Sequence, residues 1–244
     1  MLSLLIVVTS CKSKKKTEEE EAQKEMVSPE NMKEGPLVMS NEDVMGVYEG
    51  DFPCDDCVLD HYLIQFRVGQ IYFLERVYQK SGGGGKEMMY EIGHWSIKDG
   101  NKLQLTKGML APFEQFEFVD RKTLQALNSE GMMEIPKEEN QLVKGFKKMD
   151  STPSFSMDGM YVLVTDDGWF EECKTGHRFP VAKTEANDKL EKMYNRKHKE
   201  PSEKLFVKMK GYLKSQPTQE NEIINVIVVE QVMSMDKKSG CPQK

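Results

Sequence analysis

Histidine is sparse in this chain, and the sequence shows no catalytic arrangement of residues. The chain has four histidines, His61, His94, His177 and His198, and their spacing matches no metal-ligand pattern. The sequence also lacks a Ser-His-Asp order, a paired-carboxylate motif and a zinc-protease signature. Each histidine is therefore predicted to be an ordinary strand or surface residue, and the protein is predicted not to be an enzyme.

The chain also lacks a net positive charge, which argues against nucleic acid as a partner. The formal net charge is −6, and the basic cluster at residues 14–16 is followed at once by a run of acidic residues. Nucleic-acid-binding surfaces instead concentrate Lys and Arg on one face. The glycine run at 82–85 lacks the Gly-Lys-Ser/Thr ending of a phosphate-binding loop, so it is predicted to be a flexible loop.

The N-terminal apolar segment, residues 1–10, is too short to cross a membrane. A spanning helix needs about 20 apolar residues, whereas ten suit the apolar region of a secretory signal peptide. The small residues directly before Cys11 resemble a bacterial lipobox, which predicts that Cys11 is lipidated and attaches the chain to a membrane. The alternative is a buried N-terminal strand. Residues 11–43 are polar and highly charged, and they are predicted to form a flexible tether.

Short β-strand patterns separated by turns fill residues 44–147. Two apolar alternating runs flank Gly69-Gln70, and Asp99-Gly100 separates another pair, both typical of hairpins. Several short antiparallel strands without helices between them predict a small meander β-barrel.

The C-terminal part of the chain shows a different pattern. Residues 148–157 have the composition of a linker, and residues 158–244 show three strands, a helix over 187–197, and two further strands. That order is typical of an OB-like barrel with one helix. The predicted fold is therefore mainly β, with one barrel in each half.

Five cysteines define the candidate sites. With Cys11 lipidated, four remain: Cys54, Cys57, Cys173 and Cys241. An even number in an exported protein favours disulfides, and of the three possible pairings one bridge in each domain is the simplest.

The close pair Cys54 and Cys57 leaves a second possibility. If reduced, these two thiols could bind copper, with His61 or a methionine as a further ligand. A thioredoxin-type centre is disfavoured by the missing helix and by Asp55 and Asp56, which would raise the thiol pKa. No cofactor is required by the sequence, and copper is the candidate metal.

Two segments resemble the copper-resistance NlpE family of bacterial lipoproteins. The segment at residues 46–57, GVYEGDFPCDDC, is followed by a hairpin and Gly93-His94-Trp95, as in the N-terminal domain of that family. The segment at residues 170–182, FEECKTGHRFPVA, is similar to a C-terminal motif of the family, and Cys241 has a counterpart there. The glycine run and the long charged tether depart from the family pattern.

The resemblance implies an outer-membrane lipoprotein with a lipocalin-like barrel and a C-terminal OB-like domain bridged by Cys173 and Cys241. Family members signal envelope stress by contacting an inner-membrane sensor kinase, so disulfide state is an expected input. A copper-binding or copper-buffering lipoprotein that uses Cys54 and Cys57 is the alternative function. A passive surface lipoprotein is the third. Whether the protein faces the periplasm or the cell surface is left open.

Overall fold

The structure is a computed structural model that describes residues 36–107, 114–146 and 150–242. The predicted signal peptide, the lipidation site Cys11 and the tether up to residue 35 lie outside the described residues. Within the described part of the chain, no helix is long and apolar enough to span a membrane.

The N-terminal half is a closed barrel of eight antiparallel strands in sequence order, with β8 paired to β1. The predicted meander barrel is therefore confirmed. Its strands are β1 Gly46–Asp51, β2 Cys57–Arg67, β3 Ile71–Lys80, β4 Lys86–Lys98, β5 Lys102–Thr106, β6 Glu114–Phe118, β7 Thr123–Leu127 and β8 Gln141–Lys144.

Alternation of side chains along the strands builds the barrel core. Tyr48, Phe66, Trp95 and Phe118 point inward, and their rings pack edge to face at centroid distances of 5.2 to 6.3 Å. The predicted β2–β3 hairpin turns at Gly69, whose φ of +74° is the left-handed conformation that glycine adopts without strain. Short turns, together with side chains that alternate between the inside and the outside of the barrel, pair each strand with the next one in sequence and so produce a meander.

The end of the predicted tether belongs to the barrel. Helix α1, Asn41–Val44, begins with a capping box in which Ser40 and Asp43 bond each other's backbone N–H. Met39 and Val44 are buried in the barrel core, and the Met39 N–H donates to the Gly100 carbonyl. The prediction of a flexible tether is therefore wrong for these last residues, because their few apolar side chains find a packing site that composition does not reveal.

The C-terminal half has the OB topology. It contains β9 Phe155–Val164, β10 Asp167–Glu172, β11 Arg178–Pro180, α2 Glu185–Lys197, β12 Leu205–Pro217 and β13 Ile223–Asp236. The sheet order is β11-β10-β9-β12-β13. A parallel bridge between Val181 and Ile227 then brings the end of β11 to β13, which completes the ring of an OB-like barrel. The predicted fold class is confirmed.

The segment predicted as a linker, residues 148–157, is partly built into this domain. Strand β9 begins at Phe155, and Phe155 and Met157 are buried. Thr152 is also buried, and its N–H and hydroxyl bond the carbonyl and N–H of Leu213. The composition of the segment hides these anchors because the apolar residues are separated by Ser and Pro.

The two barrels share an apolar core. Ile71, Phe73 and Ile92 are buried on the outer face of β3 and β4, and they cluster with the core of the OB domain. The ring of Phe73 lies 5.1 Å from that of Phe155. Residues 36–242 therefore form one packed body in the described part of the chain, instead of two domains on a free linker.

Candidate functional site

Cys54 and Cys57 are joined by a disulfide in the loop between β1 and β2, with Cα atoms 5.5 Å apart. Both residues are partly exposed, and β2 begins at Cys57 with no helix after the pair. The adjacent Asp56 accepts a hydrogen bond of 2.7 Å from the Tyr78 hydroxyl and anchors the loop to β3. This strand-bound loop lacks the helix N-terminus that activates thiols in thioredoxin-type enzymes.

The geometry around this pair does not form a metal centre. His61, the candidate further ligand, has its Nδ1 atom 2.7 Å from Oδ1 of Asp51. Across residues 36–107, 114–146 and 150–242, no group of three or more His, Cys, Asp or Glu side chains is placed to hold a metal ion.

A belt of paired charges lines the same end of the barrel. Arg76 donates two hydrogen bonds of 2.5 and 2.6 Å to the buried Asp60, which raises the pKa of the guanidinium. Lys107 lies 3.1 Å from a carboxylate oxygen of Glu91 and 3.4 Å from one of Glu114. Each cation thus has a carboxylate partner. Such pairing stabilises charges that are partly removed from water, and it indicates a structural role instead of a catalytic one.

A partly buried phenol, Tyr62, and a fully buried one, Tyr72, accompany this belt. Burial, reinforced by the negative charge of Glu114, raises the pKa of Tyr62. Burial and a hydrogen bond to Glu91 raise the pKa of Tyr72. Both phenols therefore stay neutral at any physiological pH.

The second disulfide joins Cys173 to Cys241, which are 68 positions apart in sequence and have Cα atoms 5.1 Å apart. It ties the segment after β13 to the loop between β10 and β11. At the end of β10, the buried Glu172 carboxylate accepts hydrogen bonds from the N–H and hydroxyl of Thr175 in this loop, at 2.8 and 2.9 Å. The bridge and this carboxylate together fix the loop.

The loop that Cys173 anchors contacts the barrel directly. Nε2 of His94 on β4 lies 2.9 Å from the carbonyl oxygen of Thr175, and the rings of His94 and His177 are 6.3 Å apart. His94 and His177 were predicted to be ordinary strand or surface residues, and the structure places both at the contact between the barrels. The Gly93-His94-Trp95 motif and the Thr175-Gly176-His177 motif are thus the segments that meet.

A buried arginine makes the other polar contact between the barrels. Arg67 donates hydrogen bonds of 2.9 Å to Oδ1 of Asn225 and to Oγ of Ser215 in the OB domain. Asn225 returns one of 2.9 Å to the Val68 carbonyl. Burial lowers the pKa of Arg67 to about 10, opposed by the charge of Asp150, so the guanidinium remains charged at neutral pH. No sequence signal indicates this clamp, because its members lie about 150 residues apart.

Comparisons with known proteins connect both halves of the chain to one family. The family model described as the NlpE N-terminal domain matches residues 48–135, and the one described as the NlpE C-terminal OB domain matches residues 151–242. The chain is similar to the crystal structure of the Cpx pathway activator NlpE from Escherichia coli. The identity is 19%, the TM-score is 0.33, and the match covers 82% of this chain and 99% of that one.

A crystal structure described as that of a lipoprotein from Shewanella oneidensis is also similar. It is 22% identical with a TM-score of 0.37, over 46% of this chain and 99% of that one. No curated protein matches the chain.

Proposed function

Because this chain belongs to the NlpE family, we propose that it is a lipoprotein that signals envelope stress through protein contact, without catalysis. The E. coli protein that carries the family name is described as an activator of the Cpx pathway. The predicted lipid on Cys11 would anchor the chain in the outer membrane, and an inner-membrane sensor kinase is the proposed partner. Several acyl chains on one cysteine give a stable anchor.

The observation that carries this proposal is the position of the Cys173–Cys241 disulfide. The bridge holds the loop whose Thr175 carbonyl is bonded to His94 of the barrel. Closing a loop of this length contributes about 4 kcal/mol in the chain-entropy model, against about 2 kcal/mol for the short loop between Cys54 and Cys57. Failed oxidation would therefore loosen the OB domain and its contact with the barrel.

The proposed consequence is exposure of surface that the kinase can bind. Ile71, Phe73 and Ile92 are covered by the OB domain in the oxidised structure. An apolar face of this kind, once uncovered, is typical of a protein-binding surface.

The test compares two pairs of cysteine variants in cells that carry an envelope-stress reporter. Overproduced wild-type protein is expected to raise the reporter signal. At equal protein level, the Cys173→Ser/Cys241→Ser variant is expected to raise it further than the matched Cys54→Ser/Cys57→Ser control. No response to any of the three proteins would contradict the signalling role, as expected for a passive surface lipoprotein. Equal responses would contradict the disulfide input alone.

Copper binding remains a second candidate because Cys54 and Cys57 are partly exposed and His61 follows four residues later on β2. It requires reduction of the bridge. Titration of the reduced protein with Cu(I), compared with Cys54→Ser/Cys57→Ser, distinguishes the two candidates. Tight binding that disappears in the variant would favour copper buffering, and equal weak binding would exclude it.

A further inference from the structure

The outer face of the barrel that contacts the OB domain carries Arg67, Ile71 and His94 in one row. Arg67 pairs with Ile71 across the β2–β3 hairpin, and Ile71 pairs with His94 across β3 and β4. Arg67 therefore lies two strands from His94, or about 10 Å. Because Arg67 is buried in this contact, solvent ions screen its permanent charge less than they screen that of an exposed residue.

His94 and His177 face each other at the end of this row. Their ring centroids are 6.3 Å apart, one from the barrel and one from the OB domain. Because a carbonyl oxygen can only accept, the 2.9 Å contact with Thr175 shows that Nε2 of His94 carries a hydrogen. The ring of His177 also packs against Phe179 at 4.5 Å, and its Cε1 atom would lie 3.2 Å from a Cβ placed on Gly69.

The charged groups around the pair offer little compensation for added positive charge. The carboxylate of Glu172 is already engaged by the Thr175 N–H and hydroxyl. Lys174 and Arg178 are exposed cations on either side of the loop. On the barrel side, Arg67 is a buried cation whose hydrogen bonds go to neutral acceptors.

The β2–β3 turn beside His177, residues 68–70, has no ionisable side chain, and the strand partners of His94 are Ile71 and Thr106. Burial, followed by the charge that His94 can carry, lowers the pKa of His177 below its ordinary value. A histidine whose pKa is lowered in the docked state takes up its proton more readily when undocked. The contribution of His177 to the free energy of docking is therefore complete at pH values above its ordinary pKa of 6.5, and it declines as the pH falls below that value.

We propose that His94 and His177 form a proton-sensitive latch between the barrel and the OB domain. Protonation of His177 puts a positive charge into a partly buried contact that already contains Arg67 and faces the His94 ring, and the barrels separate at this edge. The latch is a property of the docking equilibrium and holds whatever signal the protein transmits.

Amide hydrogen exchange of the full chain in detergent tests this proposal. Exchange is measured at about pH 7.5 and about pH 5.5, on either side of the histidine pKa, and corrected for the intrinsic rate. We expect the protection of peptides covering residues 68–74 and 174–181 to fall about threefold or more on acidification, while strand β5 in the barrel keeps its protection.

Neutral isosteres separate the latch from a general acid effect. His94→Gln keeps an N–H donor for Thr175 but cannot become charged, and His177→Asn removes the facing charge. The double variant is expected to show the same protection at both pH values. The control is His198→Asn, which replaces a histidine whose ring stacks on Tyr194, and it should keep the wild-type response to pH. Acid sensitivity that persists in the double variant, or its absence in the wild type, would overturn the proposal.

A ring titration by NMR gives a readout that does not depend on opening. In the wild type the pKa of His177 is expected below its ordinary value, and it should rise in His94→Gln. An unchanged pKa in that variant would show that the two rings do not sense each other.

Discussion

Gly93 shows how a single residue sets the shape of the barrel wall. A Cβ at this position would overlap the ring of Tyr72 and the carbonyl oxygen of Thr106. The two residues that follow it point to opposite sides of the wall: His94 faces the OB domain, while Trp95 is buried in the core and donates to the Arg67 carbonyl. The sequence predicts this alternation from the strand pattern, but it does not say which protein surface His94 meets.

Replacing Gly93 by alanine tests this close approach. We expect Gly93→Ala to lower the free energy of unfolding by about 1 to 3 kcal/mol, because the added methyl group overpacks the contact with Tyr72. Urea denaturation followed by Trp fluorescence measures the change. The matched control is Gly85→Ala, where an added Cβ has no neighbour within 4 Å. Equal stability of the two variants would show that the strand can shift to make room.

The elements themselves follow from alternation and turn residues. Strands β5 and β7 lie within the predicted barrel region, residues 44–147, because Leu103, Leu105 and Leu124 alternate inward between clear turns. What composition misses are single apolar anchors inside polar segments. Met39 and Phe155 each attach a polar segment to a core, and a polar average over ten or more residues conceals them.

The segment after β13 depends on the second disulfide. The start of this segment is held by hydrogen bonds to the Asp236 carboxylate and by an ion pair of Lys237, and the bridge to Cys173 holds Cys241. Cys241→Ser is therefore expected to lower the free energy of unfolding of the OB domain by up to about 4 kcal/mol. The variant should also be cleaved more readily by proteases after Pro153.

The same digestion should spare the barrel, residues 44–147. Limited proteolysis with mass-spectrometric mapping of the cleavage sites, run beside Cys54→Ser/Cys57→Ser, checks both expectations. Wild-type resistance of the Cys241→Ser protein would show that the OB domain does not depend on the bridge. Early cleavage within the barrel would show that the two halves unfold together.

At the scale of the whole molecule, the sequence suggested two barrels joined by a linker, and the structure packs them together. The signal for this lies in β3, where Ile71, Tyr72, Phe73 and Leu74 are consecutive and all buried. A strand with one solvent-exposed face alternates apolar and polar residues, whereas an unbroken apolar run indicates a strand that is buried on both faces. The sequence thus contains the evidence for a covered outer face, but the residues that cover it come from distant strands.

Phe73 is the residue on which this packing can be tested. It is fully buried, with its ring 5.1 Å from Phe155 and 5.8 Å from Tyr90. Phe73→Lys puts a charge into this apolar contact, and the truncation alone is expected to cost about 3 to 5 kcal/mol. Because the side chain points out of the barrel, the substitution should weaken the packing of the OB domain on the barrel and leave the barrel itself folded. Small-angle X-ray scattering is then expected to show a larger radius of gyration, while circular dichroism keeps its β signal.

The matched control is Val143→Lys, which places the same charge on β8 at an apolar residue that is already exposed. It should leave both the radius of gyration and the β signal unchanged. An unchanged radius in Phe73→Lys would mean that Arg67, Asn225 and the His94–Thr175 contact hold the barrels together without the apolar core. Loss of the β signal would mean that the outer face of β3 is needed for the barrel itself to fold, and docking and folding would then be one transition.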